Sequence, residues 1–361
     1  MGKSISILDK DYTLWVKELV KRYRRSQIKA AVKVNVEQLK YNWFLGHDIV
    51  EMHVEERWGE SVITQLSKDL REAIPYAEGL SKSNIYYCRK FYLLYKGALE
   101  VFHQADGKNE EEVFHQVGGI FEIPWRHHCL IMDKVKGDVD KALFYVRQTV
   151  ENGWSRSTLL NFISTNLYER QGKAITNFTK NLPDEMSDLA QELTKDPYNF
   201  AFTGITGHYN ERLLKDALLN NITRFLIELG TGFAYVGKEY RLEIGKTENF
   251  IDLLFYNLNL SCYVVVEVKI GKFAFADIGQ LGGYVVACNH ILRKEGRDNP
   301  TIGLLICKEK DRVQAQYALE SSSQPIGISE YDLEKFYPEK VEGTMPSIKE
   351  IEAKLDSKTN R

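Results

Sequence analysis

An α+β architecture in two parts follows from three features of the chain. Residues 11–192 repeat their apolar positions at helical spacing without strand alternation. The rhythm changes after Asp196-Pro197. Beyond it come a helix, three short alternating strands, a second helix and a further apolar strand, in the order αβββαβ. That order predicts an α/β (α+β) fold with a mixed sheet, behind an all-helical N-terminal domain. A length of 361 residues suits two cores, because a single core seldom keeps growing to this size. The expected division is a helical domain over 1–195, a second domain over 205–345 and a tail over 346–361.

In the first part, Ile28, Val32, Val36 and Leu39 recur three and four residues apart, as do Val62, Leu66, Leu70 and Ile74. Pro75 ends the second run, and Gly79 followed by Ser81 reads as a helix end and a new N-cap. Another helix is expected over 155–168. In the second part a helix over 211–229 places Leu214, Leu218, Ile222, Phe225 and Leu229 on one face, and Gly230 and Gly232 stop it. Strands follow over 233–236 continuing into 240–244, then 250–256 and 262–270, joined by short polar connectors that suit hairpins. A helix over 277–291 and a buried strand over 301–307 complete the order.

Hydrophobic residues make up 43% and charged residues 27% of the chain, ordinary globular values that exclude a disordered or collagenous protein. A net charge of −2 means that a polyanionic partner must be held by local basic patches. The most apolar stretch, 250–270, carries Asp252, Glu267 and Lys269, so it is no membrane helix. Cys88, Cys129, Cys262, Cys288 and Cys307 are scattered with no C-x-x-C pair, which reads as reduced thiols in a cytoplasmic protein.

Strand alternation sorts 262–270 into two faces. Val264, Val266 and Val268 form an apolar face, while Glu267 and Lys269 leave the other face together near its C-terminal end. If 250–256 and 262–270 form a hairpin, Asp252 comes close to Glu267. Two carboxylates and an ammonium in an apolar sheet need compensation, and a divalent cation supplies it. Mg²⁺ (or Mn²⁺) favours one or two carboxylates together with waters and phosphate oxygens, which is the requirement of phosphodiester hydrolysis. A neighbouring lysine can orient the attacking water and stabilise the transition state. Asp252, Glu267 and Lys269 supply these parts, although a lone E-x-K is common as a surface ion pair. Gln280 and Tyr284, four apart on one helix face, are candidates for touching substrate or the lysine, or are a plain packing pair. Glu211 and Glu228, on the preceding helix, are candidate further metal ligands, and a solvated charge is the rival reading for Glu228.

With Asp252 on one strand, Glu267-Val268-Lys269 on the next and Gln280-x-x-x-Tyr284 after them, the chain resembles the PD-(D/E)XK nuclease superfamily. The runs 225–237, 251–256, 299–307 and 324–331 resemble more specifically its YhcG-like family. Trp58-Gly59, 66–70, Gly153-Trp154-Ser155-Arg156 and 168–178 extend the likeness into the helical half. The resemblance implies a restriction-endonuclease-like core and Mg²⁺-dependent cleavage of nucleic acid. Two departures bear on the substrate-facing surface. Lys238-Glu239 stands where an Arg-Gln pair is expected, and Trp125-Arg126-His127 varies a Trp-Gly-His pattern.

The helices over 62–73 and 81–95 have helix-turn-helix proportions, and the second carries Lys82, Asn84, Arg89 and Lys90, residue types that contact phosphates and base edges. A generic helical hairpin with a charged face has the same proportions. A basic run including Arg22, Arg24 and Arg25 can track a phosphate backbone or be the wet side of a helix. The adjacent His127 and His128 read as structural. The expected function is therefore a metal-dependent nuclease, acting on DNA through a helical recognition module. The alternatives are a binding or scaffold protein that keeps the fold without turnover, and an RNA-directed nuclease. A homo-oligomer is compatible with all three.

Overall fold

The described residues pack as two units, one ending at Ile163 and the other beginning at Ser164. The structure, a computed structural model, describes residues 10–59, 61–103 and 119–333, with the side chains at 10–15, 17, 24–32 and 99–103 excepted.

The described part of the first unit is helical: α1 (Lys10–Glu51), α2 (Val54–Trp58), α3 (Val62–Ala73), α4 (Lys82–His103), α5 (Trp125–Val135), α6 (Val139–Asn152) and α7 (Arg156–Ser164). Where α1 crosses α4, Gly46 faces the backbone of Cys88. A Cβ at Gly46 would lie 2.1 Å from the Cys88 carbonyl oxygen, so the close crossing requires glycine. Phe91 centres the core, with Trp43, Tyr95, Phe121, Trp125 and His128 packed around it, most of them edge-on. His128 is fully buried, and its Nε2–H donates to the Ile120 carbonyl at 2.7 Å. Burial lowers its pKa to about 3, so the ring is a neutral core element. The helix expected over 155–168 is interrupted. Asn166 takes a left-handed conformation (φ 54°), which asparagine tolerates, and α8 (Leu167–Arg170) starts afresh.

In the second unit the elements continue as β1 (Ile175–Thr176), α9 (Phe178–Asn181), α10 (Asp184–Leu193), β2 (Tyr198–Asn199), α11 (Glu211–Asn220), α12 (Ile222–Leu229), β3 (Phe233–Ile244), β4 (Thr247–Asn257), β5 (Cys262–Lys272), α13 (Phe275–Ile291), β6 (Ile302–Glu309), α14 (Arg312–Ser321) and β7 (Ile326–Asp332). The sheet runs β1-β7-β6-β5-β4-β3, with β2 beside β7. The strands β3, β4 and β5 form an antiparallel meander, and β5, β6 and β7 run parallel through the crossover helices α13 and α14. Val264, Val266 and Val268 share one core with Leu214, Leu218, Phe225 and Leu229 of α11 and α12. Val265 and Leu254 share the other core with Ile278, Leu281 and Val285 of α13.

The helix expected over 211–229 is two helices. Asn221 leaves helical geometry and its side chain bonds back to the Ala217 carbonyl at 3.0 Å, closing α11 before α12 begins. Asp196-Pro197 falls inside the second unit. Thr176 of β1 pairs with Gly327 of β7, and the Asn177 amide reaches the Leu319 and Gln324 carbonyls. Asp196 accepts from Lys310 Nζ at 2.6 Å and from the Glu330 amide at 2.9 Å. Arg170 forms a two-pronged ion pair with Glu228, both side chains buried. Segment 164–200 is thus held by bonds that cross the whole of this unit.

Removing one partner of a buried pair leaves the other charge stranded, so Arg170→Met is expected to cost about 3–5 kcal/mol in urea unfolding. A loss below about 1 kcal/mol, the range of an exposed pair, would contradict that assignment.

Candidate active site

The two strands that carry the acidic pair part company at the site. β4 and β5 pair from Asn257↔Cys262 to Leu253↔Val266. From there β4 stays with β3, while β5 continues beside β6 through Lys269↔Cys307. The next position along is Asp252 opposite Glu267, as the hairpin arithmetic requires. There the Asp252 amide points to the Glu267 side chain (N to Oε1 3.4 Å).

At this fork five acidic and basic side chains alternate in series, and the Asp252 main-chain amide closes the series into a ring. Asp252 Oδ1 accepts from Lys215 Nζ at 2.6 Å, and Lys215 Nζ also donates to Glu211 Oε1 at 3.3 Å. Lys269 Nζ lies 3.7 Å from Glu211 Oε1 and 3.5 Å from Glu267 Oε2. Glu267 returns to the Asp252 amide. The i, i+4 spacing of Glu211 and Lys215 puts both on one face of α11, aimed at the strands. Lys215 is the member that the sequence pattern does not single out. An E-x-x-x-K pair on an amphipathic helix looks like any solvated one, and only the packing of α11 on the sheet shows its target.

Desolvation of the ring is centred on Glu267. Glu267 is 1% exposed. Burial first, and then the Asp252 charge, push its pKa up to about 8, against the opposing pull of Lys269. For Lys269, burial works against the charged form, but Glu267, Glu211 and Asp252 outweigh it and raise the pKa. Lys215 is raised by Asp252 and Glu211 against the same burial effect. Both lysines are therefore ammonium ions.

Asp252 Oδ2 and Glu267 Oε2 are buried without a hydrogen-bond partner. Among the described residues no three His, Cys, Asp or Glu side chains are grouped as a metal cage. Two carboxylates with one orphaned oxygen each nonetheless fit a hard cation that keeps waters and takes its remaining ligands from substrate. Asp252 and Glu267 are the residues that would hold it, while Glu211 is engaged by Lys215 and Lys269.

The other expected residues fall elsewhere. Glu228 is corrected from candidate ligand to structural anion: its carboxylate is taken by Arg170 and by the Asn199 amide at 2.8 Å, while Lys195 Nζ binds its main-chain carbonyl. Gln280 donates to the Tyr284 hydroxyl at 3.3 Å on α13, a pair of its own separate from the ring's hydrogen bonds. Asn84 is also corrected: its side chain donates to the Gly79 carbonyl at 2.6 Å and accepts from Trp125 Nε1 at 2.7 Å, so it fixes the start of α4. Arg89 pairs with Glu55 at 3.3 Å, Lys90 with Asp133 at 3.6 Å and Arg22 with Glu18 at 3.3 Å. Lys82 is half-buried near the N-terminus of α4. The side chains of Arg24 and Arg25 lie outside the described residues. At the first departure noted in sequence, Lys238 of β3 pairs with Asp216, the neighbour of Lys215 on α11.

Residues 191–346 match the family description "YhcG PDDEXK nuclease domain", and residues 18–170 match "DUF1016 N-terminal domain". The chain is 30% identical over 313 residues to the Escherichia coli (strain K12) protein described as "Putative nuclease YhcG", covering 80% of this chain and 82% of that one. Two solved structures overlap 37% of the chain. One, "Structure of EndoMS-dsDNA2 complex", has TM-score 0.27, 17% identity and 48% of its own length covered; the other, a repair endonuclease from Pyrococcus abyssi, has TM-score 0.24, 18% identity and 50% covered. Overlaps this slight bear on neither fold nor substrate.

Because Glu267 binds its proton more tightly folded than unfolded, its contribution is fully present below the ordinary carboxylate pKa and fades as pH rises towards about 8. In EDTA, the wild-type melting temperature should fall relative to that of Glu267→Gln between pH 5 and pH 9. Parallel melting curves for the two across that range would show that Glu267 is not buried as described.

Proposed function

The chain belongs to the YhcG-like family of PD-(D/E)XK nucleases, and from that premise we propose that it hydrolyses phosphodiester bonds of DNA with a divalent cation, Mg²⁺ or Mn²⁺, held by Asp252 and Glu267. The reading is carried by one observation: two carboxylates, each with a buried and orphaned oxygen, converge where β4 and β5 separate, with the Lys269 ammonium 3.5 Å from one of them. When bound, the cation would lower the pKa of a water and neutralise charge on the phosphate.

The chain's own residues supply the rest. Lys269, kept charged by the acidic groups around it with Glu267 and Glu211 foremost, donates hydrogen bonds. It can hold the attacking water by its oxygen and stabilise anionic charge gathering on the phosphoryl oxygens. Glu211, 3.7 Å from the ammonium, also restrains Lys269. The apolar strands behind the ring keep bulk water away and make each of these charge interactions stronger than it would be in solvent. On α13, the Gln280–Tyr284 pair is a candidate surface for positioning substrate.

In the helical unit, the exposed residues Lys21, Arg22 and Lys33 of α1 are the proposed phosphate contacts. The helix pair α3 and α4 has the proportions of a recognition element. The five cysteines are free thiols, which suits a reducing, cytoplasmic setting. Among the described residues no helix is long and apolar enough to cross a membrane.

Purified chain should cut labelled DNA in Mg²⁺ or Mn²⁺ and not in EDTA. Asp252→Asn and Lys269→Ala should each lower the rate by roughly 100-fold or more while far-ultraviolet circular dichroism is unchanged. Wild-type rates in either variant would remove these residues from the chemistry. Cleavage of RNA alone would redirect the substrate assignment.

A further inference from the structure

We infer that Lys215 is the internal counter-ion of the metal site: it neutralises Asp252 in the metal-free chain and thereby limits how tightly a divalent cation is held. This rests on the metal-dependent reading above and adds a residue to it.

Asp252 has only 14% of its side chain exposed, and Lys215 only 11%. Lys215 Nζ sits on Oδ1 at 2.6 Å, while Oδ2 is orphaned. A buried carboxylate needs a cation near it, and α11 delivers one covalently. Lys215 is steadied from behind by Glu211 one turn earlier, which also touches Lys269. The ammonium therefore cannot easily swing away, and it leaves open the one Asp252 oxygen that an incoming ion would use. A divalent cation arriving at Oδ2 meets a fixed positive charge a few ångströms off. At the effective dielectric of a half-buried site, one unit charge at that range changes affinity by an order of magnitude or more.

The counter-ion has two consequences. It lets the chain fold around its acidic pair before any metal is present. It also leaves the loaded site with surplus positive charge, since two ammonium ions remain beside the metal, and a phosphodiester anion relieves that surplus. Metal and substrate phosphate should then favour each other's binding.

The test is Mn²⁺ titration of the full, EDTA-stripped chain, reading free Mn²⁺ by electron paramagnetic resonance, together with melting curves in EDTA. Lys215→Met should bind Mn²⁺ roughly tenfold or more tighter than wild type, and should melt lower in EDTA with a larger rise on adding Mn²⁺. Lys215→Arg, which keeps the charge, should stay near wild type in both. If Lys215→Met does not fold without metal, Lys215→Gln keeps a hydrogen bond to Asp252 without the charge and should show the same tightening. Equal or weaker Mn²⁺ binding by the neutral variants, with wild type binding normally, overturns this inference alone. A wild-type chain that binds no Mn²⁺ at millimolar concentration overturns the metal-dependent reading and this inference with it.

Discussion

Carboxylic acids buried where a sheet splits cannot stand alone, and the ring of charge at the β4–β5 fork is the constraint around which the second unit is organised. Asp252, Lys215, Glu211, Lys269 and Glu267 alternate in sign and close through the Asp252 amide. Each acid has a basic neighbour, so the ring survives in surroundings where a lone ionised group would be expelled. Glu267 is the point of tension, with a pKa pushed up to about 8. The same arrangement that makes the ring tolerable leaves two oxygens unsatisfied, and those are the groups with chemistry to offer.

The ring depends on α11 lying at a defined place on the sheet, and the sequence from 164 onwards secures α11 and its continuation α12. Glu228 near the end of α12 is clamped by Arg170, and Lys195 binds the Glu228 and Leu229 carbonyls. Asp196 ties the same segment to β7 and to Lys310 beyond β6. Two buried ionic clusters thus serve different ends. One is fully satisfied and fixes geometry; the other is left incomplete where a reaction can occur. That contrast explains why Glu228, a helix glutamate in the expected region, is structural and Glu211 is part of the ring.

The two strands of the fork were legible in the sequence because their pattern obeys local rules. Period-two alternation put Glu267 and Lys269 on one face, and the short connector at 257–261 forced Asp252 opposite Glu267. Lys215, Asn84 and Glu228 were not legible for the converse reason. Their partners are 37, 41 and 58 residues away, as in Lys215–Asp252, Asn84–Trp125 and Arg170–Glu228. Nothing local tells a lysine that meets an aspartate from one that meets water. The way segment 164–200 joins the sheet was hidden for a similar reason. The two-residue strands β1 and β2 are too short to show alternation, and they join β7 from far along the chain. The break at Asn221 escaped detection because the apolar spacing carries straight through it.

The central claim is that Asp252 and Glu267 hold one divalent cation between them. Anomalous diffraction from crystals grown with Mn²⁺ measures this directly. The account predicts a single strong peak at the fork, about 2.1 Å from one oxygen of each carboxylate, with Lys215 and Lys269 still beside it. A peak bound elsewhere, or an empty fork at millimolar Mn²⁺, would contradict it.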